Sequence, residues 1–136
     1  MKSIKKEIVF VSNTSWYLYN FRLYLLRYLK SMDFKIVIIS PFDKYTTFLL
    51  DEGFTHIDWP LNRKSLNLFS ELKSIVYILR IFNKLKPDII HNFTIKGCLY
   101  SSIASRLASK QTHVVNQITG LGPLFIDRSL IMKILN

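Results

Sequence analysis

The sequence has few of the residues that build disulfides, glycine-rich loops or membrane-spanning helices. It contains one cysteine, four glycines and four prolines in 136 residues. The lone Cys98 cannot form an internal disulfide, and it fits a reducing cytoplasm. No apolar run approaches the roughly 18 residues that a spanning helix needs. Glu7 and the polar residues at 12–15 interrupt the N-terminal region, so we expect no signal peptide.

Common ligand-binding motifs are also missing. The turn after the first apolar run lacks G-x-G-x-x-G, and no G-x-x-x-x-G-K-[ST] occurs. Dinucleotide-binding and P-loop proteins are therefore disfavoured. The spacing of His, Cys and acidic residues suggests no zinc site, and we predict no metal. Cys98 near His91 would permit a nucleophile–base pair. However, Cys98 follows a glycine at the start of a predicted helix whose residues are mostly small and suited to close packing, so we do not favour catalysis by this thiol.

Acidic residues are scarce. Nine Asp and Glu stand against 19 Lys and Arg, which gives a formal net charge of +10. This excess implies an anionic partner, such as nucleic acid, acidic lipid headgroups or phosphorylated substrates. The charge alone does not choose among them, and a role in solubility is the alternative.

The residues that are present form a repeating pattern of short apolar runs and longer helical periods. Runs without alternation are typical of strands that are buried on both faces of a parallel sheet. We predict five of them, with crossovers long enough for parallel connections. The sequence therefore predicts one Rossmann-like, doubly wound α/β domain over residues 1–136. The predicted strands are Glu7–Val11, Lys35–Ser40, Phe54–Trp59, Asp88–His91 and Thr112–Ile118.

Two predicted helices carry basic faces. In the helix at 16–31, the period puts Phe21 and Tyr28 on the sheet side and places Arg22, Arg27 and Lys30 on the outer side among apolar residues. Such an outer face is typical of a membrane-surface or partner-binding helix, and a helix covered by another part of a larger protein is an equal alternative. In the helix at 68–85, the period predicts that the core stripe begins at Leu68 and Leu72. The opposite row of Lys73, Tyr77, Arg80 and Lys84 suits either solvent or lipid.

Three polar corners follow the first, fourth and fifth predicted strands, at Asn13–Trp16, His91–Gly97 and Thr119–Gly122. Ligands of parallel α/β sheets bind outside the carboxyl ends of the strands. The corners supply amide, hydroxyl, imidazole and backbone donors, which suit sugars or phosphates. His91 is predicted at the end of its strand, and a structural role for this histidine is an equal alternative. His56 is predicted to be structural.

These corners resemble a known family. Four segments carry the resemblance: Ser15–Arg22, residues 62–67 (NRKSLN), residues 86–96 (KPDIIHNFTIK) and residues 117–122 (QITGLG). Together they resemble the N-terminal half of a family 4-type glycosyltransferase of the GT-B fold. The likeness is greater to bacterial enzymes that extend undecaprenyl-diphosphate-linked sugars in capsule, O-antigen or other glycan assembly. It covers nearly the whole chain.

The resemblance implies retaining transfer of a hexose or N-acetylhexosamine from a nucleotide sugar, usually a UDP-sugar, to a lipid-linked acceptor, without a further cofactor. It implies an N-terminal domain that holds the acceptor and touches an anionic membrane. The expected location is cytoplasmic, peripheral on the inner face of the plasma membrane. The donor-binding domain of the family is not in these 136 residues. We therefore expect a fragment, inactive without a donor domain in cis or in trans.

The resemblance also implies roles for individual residues. Acceptor contact is expected from Asn13, His91, Thr94 and Lys96, and a cleft-lining role from Ser15, Arg63, Asn67, Thr119, Gly120 and Gly122. Two departures leave the catalytic residue unknown. Thr119-Gly120 stands where many relatives have His-Gly, and Phe93 replaces the second histidine of a common His-x-His strand end. Both occur in the subgroup with Thr-Gly-Leu-Gly.

Two other functions are open at this point. The chain could be a non-catalytic subunit that recruits a separate donor-domain chain to a membrane. It could also be a basic nucleic-acid-binding α/β domain, but it has no RNP-like aromatic pair and no helix-turn-helix signature. We therefore expect no nucleic-acid partner.

Overall fold

The structure is a computed structural model that describes residues 5–61 and 67–119. Within these ranges five strands alternate with four helices, as the apolar runs predict. The strands are β1 (Glu7–Val11), β2 (Lys35–Ser40), β3 (Thr55–Asp58), β4 (Ile89–Phe93) and β5 (His113–Gln117). The helices are α1 (Ser15–Ser31), α2 (Lys44–Asp51), α3 (Leu68–Leu85) and α4 (Ile95–Leu107). In this part of the chain, no helix is both long enough and apolar enough to cross a membrane.

The strands form one parallel sheet in the order β3-β2-β1-β4-β5. Val9 on β1 pairs with Val37 on one side and with Ile90 on the other. The chain moves outward in one direction from β1 to β3 and then returns to pair β4 with the free edge of β1. This arrangement confirms the predicted Rossmann-like doubly wound fold. The reversal between β1 and β4 leaves a crevice at the carboxyl ends of these two strands.

Alternate residues of the central strands supply two separate cores, one on each face of the sheet. Val9, Val37 and Ile90 point to the α3–α4 side, where Trp59 and Phe82 complete a buried cluster. Phe10, Ile38 and Phe93 point to the α1–α2 side and pack with buried leucines. Burial on both faces is the reason why these strands read as continuous apolar runs.

Polar side chains fix where the helices begin. The Thr14 hydroxyl accepts a hydrogen bond from the Tyr17 amide at the start of α1. Asp43 and Thr46 form a capping box at the start of α2. The Asn67 side chain accepts from the Phe69 amide and caps α3. Each cap satisfies an amide that the helix itself leaves unpaired.

The predicted face of α1 is wrong in part. Phe21 and Tyr28 are exposed, whereas Leu26, which the period places outside, is completely buried. Two basic residues of α1 are exposed but contact the turn that follows α2. Arg27 pairs with Glu52, and the Lys30 ammonium lies 5.3 Å from the centre of the Phe54 ring. Because α2 and its following turn pack beside α1, they rotate the buried stripe relative to that of a helix covering a sheet alone.

The predicted core stripe of α3 is also wrong at its N-terminal end. Leu68 and Leu72 are 83% and 56% exposed, and the buried residues are Ser74, Ile78 and Phe82. The partly buried side of this end of α3 carries Ser70 and Glu71, and Glu71 pairs with Lys96 of α4. The bounds of the helix match the prediction at both ends.

Candidate functional site

The crevice between β1 and β4 is bordered by the loop containing Asn13 and by the corner containing Thr94. Thr94 follows β4 directly and has φ 68° and ψ 159°. A β-branched residue rarely adopts a positive φ, and such a conformation costs on the order of 1–3 kcal/mol. The Thr94 Oγ1 atom is buried and has no hydrogen-bond partner among the described residues. The fold therefore holds Thr94 in a strained position at the crevice, where strain is commonly associated with function.

Gly97 allows the two corners to meet. A Cβ atom at this position would lie 3.3 Å from the Val11 carbonyl oxygen and 3.3 Å from the Thr94 hydroxyl. The first turn of α4 thus packs directly against the end of β1. The loops after β1 and β4 are brought together as the sequence predicts.

His91 lies inside β4 rather than at its end, which corrects the predicted strand boundary. β4 continues to Phe93 because Asn92 pairs with Val11 on β1 and Phe93 pairs with Gln117 on β5. The His91 ring is half-buried and stacks on Phe93, with 4.3 Å between ring centres. Its Nε2 atom is buried and unpaired within the described part of the chain.

The chemistry of His91 follows from this burial. Desolvation lowers the pKa of His91 below its ordinary value, a hydrogen bond with Gln117 works in the opposite direction, and the nearby charge of Arg22 lowers the pKa further. The imidazole is therefore neutral at neutral pH. A neutral ring can accept or donate a hydrogen bond through Nε2.

Lys96 lies at the start of α4 and points toward α3. Its Nζ atom is 3.2 Å from Glu71 Oε1, with side-chain exposures of 20% and 16% for the two residues. The ammonium also lies 5.9 Å from the centre of the Tyr100 ring. Lys96 therefore forms a partly buried ion pair that joins α3 to α4 beside the crevice.

The prediction that Ser15 lines the cleft is corrected by the structure. Ser15 is completely buried, and its hydroxyl lies 2.7 Å from Ser40 Oγ and 2.7 Å from Thr46 Oγ1. Ser40 Oγ in turn lies 3.0 Å from His56 Nε2. These contacts tie α1 to β2, α2 and β3, so Ser15 stabilises the corner rather than presenting its hydroxyl to a ligand. His56 has the structural position that was predicted.

The remaining predicted cleft residues have different positions. Asn67 is exposed and caps α3. Thr119 is exposed two residues after β5 and lines a cavity of about 420 Å³ with Tyr17, Phe21 and Arg22 of α1. The predictions for Arg63, Gly120 and Gly122 fall outside the described residues.

Arg22 was predicted on the outer, basic face of α1, but it is partly buried and lines this cavity. Its guanidinium lies 5.2 Å from the centre of the Phe93 ring and 5.4 Å from that of Tyr17. Two sequence signals mark this position: Arg22 ends the Ser15–Arg22 segment that carries the family resemblance, and aromatic residues precede it at 17 and 21.

Cys98 contributes little to the site. Burial raises the pKa of the Cys98 thiol, which makes it a poor nucleophile at neutral pH. Within residues 5–61 and 67–119, no three His, Cys, Asp or Glu side chains come close enough together to hold a metal ion. The arrangement around the crevice thus supplies hydroxyl, amide, imidazole and cationic hydrogen-bonding groups, which suit recognition of hydroxyls and anions.

Comparison with known proteins agrees with this geometry. The profile of the family described as "Glycosyl transferase 4-like" matches residues 7–133. The chain belongs to this glycosyltransferase family. A curated relative from Campylobacter jejuni, N,N'-diacetylbacillosaminyl-diphospho-undecaprenol alpha-1,3-N-acetylgalactosaminyltransferase, is 31% identical over 122 residues. The match covers 90% of this chain and 32% of that protein, so the chain spans about a third of the length of this relative.

Solved structures share the fold. A glycosyltransferase from Rickettsia africae superposes with a TM-score of 0.68 at 21% identity, and the match covers 96% of this chain and 35% of that one. MurG from Acinetobacter baumannii superposes with a TM-score of 0.65 at 17% identity, over 85% of this chain and 34% of the other. In both comparisons the matched region is about a third of the solved chain, and it has the same Rossmann-like fold as the part of this chain described here.

Proposed function

We propose that this glycosyltransferase family chain is the acceptor-side domain of a retaining enzyme that moves a sugar from a nucleotide sugar to a lipid-linked acceptor. The observation that supports this most directly is the 31% identity, over 90% of the chain, to a transferase named for a diphospho-undecaprenol acceptor. The crevice between β1 and β4 is the natural place for that acceptor, since ligands of open parallel sheets bind at the point where strand order reverses.

Asn13 and Thr94 are proposed to contact the sugar hydroxyls of the acceptor. Both border the crevice, and the Thr94 hydroxyl has no partner among the described residues. His91 is proposed to hydrogen-bond through its unpaired Nε2 atom, and Lys96 to contribute positive charge that Glu71 partly offsets. Asn67 and Thr119 are proposed to border the cleft, as are Arg63, Gly120 and Gly122.

The donor is proposed to be a UDP-sugar bound by a second domain, in cis or in trans. The chain spans about a third of its relatives' length, and transfer requires the donor diphosphate to be held opposite the acceptor. We therefore expect no sugar transfer by the chain alone and transfer when a donor domain of the family is supplied. Turnover by the isolated chain would contradict this division of roles.

Acceptor binding provides the direct test. A fluorescent, short-chain lipid-diphosphate sugar is titrated with the chain, and anisotropy gives the affinity. Asn13→Ala and Thr94→Ala should each weaken binding about tenfold, since a lost hydrogen bond to a bound ligand costs ~1–1.5 kcal/mol. Thr47→Ala is the matched control, because Thr47 is exposed on α2. Equal affinities for all four proteins would refute the proposed contacts.

Contact with an anionic membrane is proposed to occur through α3 rather than α1. A groove of about 430 Å³ on α3 is lined by Phe69, Leu72, Lys73, Val76, Tyr77 and Arg80. Phe69 and Leu72 are 69% and 56% exposed, an unusual amount of apolar surface beside two cations. Exposed apolar residues bordered by basic ones suit the headgroup region of an acidic bilayer. This contact would place the protein peripherally on the cytoplasmic face of the membrane.

Vesicle cosedimentation tests the membrane contact. Replacing both Lys73 and Arg80 by Gln should reduce binding to phosphatidylglycerol vesicles by about 30-fold, at ~1 kcal/mol for each basic residue. Lys84→Gln is the control, because Lys84 is exposed on α3 but does not line the groove. Equal binding to neutral and acidic vesicles would contradict the proposal. Binding to oligonucleotides in place of vesicles would favour the nucleic-acid alternative.

A further inference from the structure

Arg22 is held rigidly in an aromatic environment. Its Nη2 atom donates to Tyr17 Oη at 2.7 Å, and its Nη1 atom donates to the Phe21 carbonyl at 3.3 Å. The rings of Tyr17 and Phe93 lie 5.4 and 5.2 Å from the guanidinium carbon. Contacts of this kind fix the orientation of a cation and offset part of its desolvation.

The positive charge of Arg22 has no carboxylate partner in the described ranges. The ion pairs found there join other residues: Lys5–Asp33, Arg27–Glu52, Lys35–Glu7, Lys96–Glu71 and Lys110–Asp88. The Arg22 Nε atom is buried and unpaired within the same ranges. A partly buried cation without a counter-charge is costly, and an anionic ligand would remove much of that cost.

The surroundings of Arg22 have room for such a ligand. The cavity of about 420 Å³ is open to solvent, with the rings of Tyr17 and Phe21 as walls and Thr119 at the end of β5. His91, also unpaired at Nε2, lies behind Phe93 on the same face of the sheet. The pocket therefore combines one fixed guanidinium, a hydroxyl and apolar walls.

We propose that this Arg22 pocket is a binding site for a phosphate or diphosphate group. A guanidinium recognises phosphate oxygens through charge-assisted hydrogen bonds, and Thr119 adds a hydroxyl donor. The aromatic walls suit an ester whose organic part is apolar. The inference does not depend on sugar transfer, because it concerns only binding of the anion by this chain.

Titration calorimetry on the chain tests the site with two probes, inorganic pyrophosphate and a water-soluble isoprenyl diphosphate. Both should bind the wild-type chain, with affinity that falls as sodium chloride is added. Arg22→Gln should weaken both by at least tenfold. Arg106→Gln removes the same charge from an exposed position on α4 that lines neither the Arg22 cavity nor the α3 groove, and it should leave both affinities unchanged. Tighter binding of the isoprenyl diphosphate would identify a lipid source, and equal binding would identify a free phosphate source.

Three results would overturn the proposal: no binding of either probe, equal binding by wild type and Arg22→Gln, or an equal loss in Arg106→Gln. Circular dichroism checks that the variants fold. Arg22→Lys retains a cation on a flexible stem, so it provides a second measurement if Arg22→Gln does not fold, and it should weaken binding severalfold. In NMR spectra, pyrophosphate should shift the Thr119 amide of wild type but not that of Arg22→Gln.

Discussion

Removal of the Ser15 hydroxyl should destabilise the fold, and the contacts of this atom determine by how much. Ser15 Oγ has two hydroxyl neighbours at 2.7 Å, and Ser15, Ser40 and Thr46 are all completely buried. Water cannot replace the lost atom. After Ser15→Ala, Ser40 keeps its contact with His56, and Thr46 keeps the hydrogen bond from the Asp43 amide. Each partner thus loses one of its two contacts.

The expected cost follows from these two lost hydrogen bonds. At ~1 kcal/mol for each, Ser15→Ala should lower the free energy of unfolding by about 2 kcal/mol. The better helix propensity of alanine returns only a few tenths of a kcal/mol. Because m-values in urea are ~1–3 kcal/mol/M for small proteins, the midpoint should fall by about 1 M.

Urea unfolding followed by tryptophan fluorescence measures this loss, since Trp59 is completely buried and Trp16 is at the start of α1. Ser31→Ala is the control. Ser31 is exposed at the end of the same helix, and among the described residues its hydroxyl donates to the Tyr28 carbonyl, so its removal should change stability by less than ~0.5 kcal/mol. If Ser15→Ala and Ser31→Ala were equally stable, the buried hydroxyl cluster would not have the role assigned to it. If Ser15→Ala weakened acceptor binding without changing stability, the predicted cleft-lining role of Ser15 would be supported instead.

Three other predictions follow from the site. Thr94→Gly should leave stability unchanged or raise it by up to ~1 kcal/mol, because glycine relieves a backbone strain of ~1–3 kcal/mol at the cost of its own conformational entropy. Acceptor binding should fall in the same variant. Urea unfolding measures the stability and anisotropy measures the binding; a clear loss of stability would refute the proposed strain. Lys96→Met should destabilise the chain by ~1–3 kcal/mol, because it leaves the Glu71 carboxylate partly buried without its ion-pair partner. In a double-mutant cycle, Lys96→Met combined with Glu71→Gln should recover part of this lost stability. Additive effects of the two substitutions would contradict a coupled pair. Burial lowers the pKa of both His56 and His91, so the unfolded chain takes up protons first below pH ~6.5, and stability should fall as the pH drops from ~7 to ~5. His56→Asn should flatten this pH dependence of stability, and an unchanged slope would argue against a contribution from His56.

The strands and their order could be predicted from the sequence because burial on both faces of a parallel sheet leaves a strong local signal. The bounds of β1 and β2 match the prediction, as do those of α3. Pro87 and the caps at Asp43 and Asn67 act locally, so they can be read without knowledge of the tertiary contacts. The likeness of the corners to a glycosyltransferase family is confirmed for the same reason, since those segments are continuous in sequence.

The parts that could not be predicted depend on contacts between distant segments. A helical period cannot show that α2 covers one side of α1. The period therefore predicted an exposed Leu26 and a buried Phe21, and the structure has the reverse. Asn92 was predicted in a turn, yet it is buried in β4 and donates to Asn116 Oδ1 on β5 at 2.8 Å. That partner is 24 residues away, so no local pattern indicates that the Asn92 amide nitrogen has a partner and that the strand continues.

Hydrogen-bond satisfaction explains the burial of some polar side chains in this chain and marks others as candidates for ligand binding. Ser15 and His56 have buried partners, so their polarity is explained by the fold. Thr94 Oγ1, His91 Nε2 and Arg22 Nε are among the buried atoms without a partner in the described residues, and all three lie in or beside the last residues of β4. Atoms of Glu7, Trp59, Glu71, Asn92 and Ser101 are also unpaired there, so it is the clustering of the three that makes them candidates. An unpaired buried polar atom costs ~1–3 kcal/mol, which selection tolerates where a ligand restores the contact. The end of β4 combines unpaired buried polar atoms with the strained backbone of Thr94, and it is therefore the place where the domain is best prepared to bind a ligand.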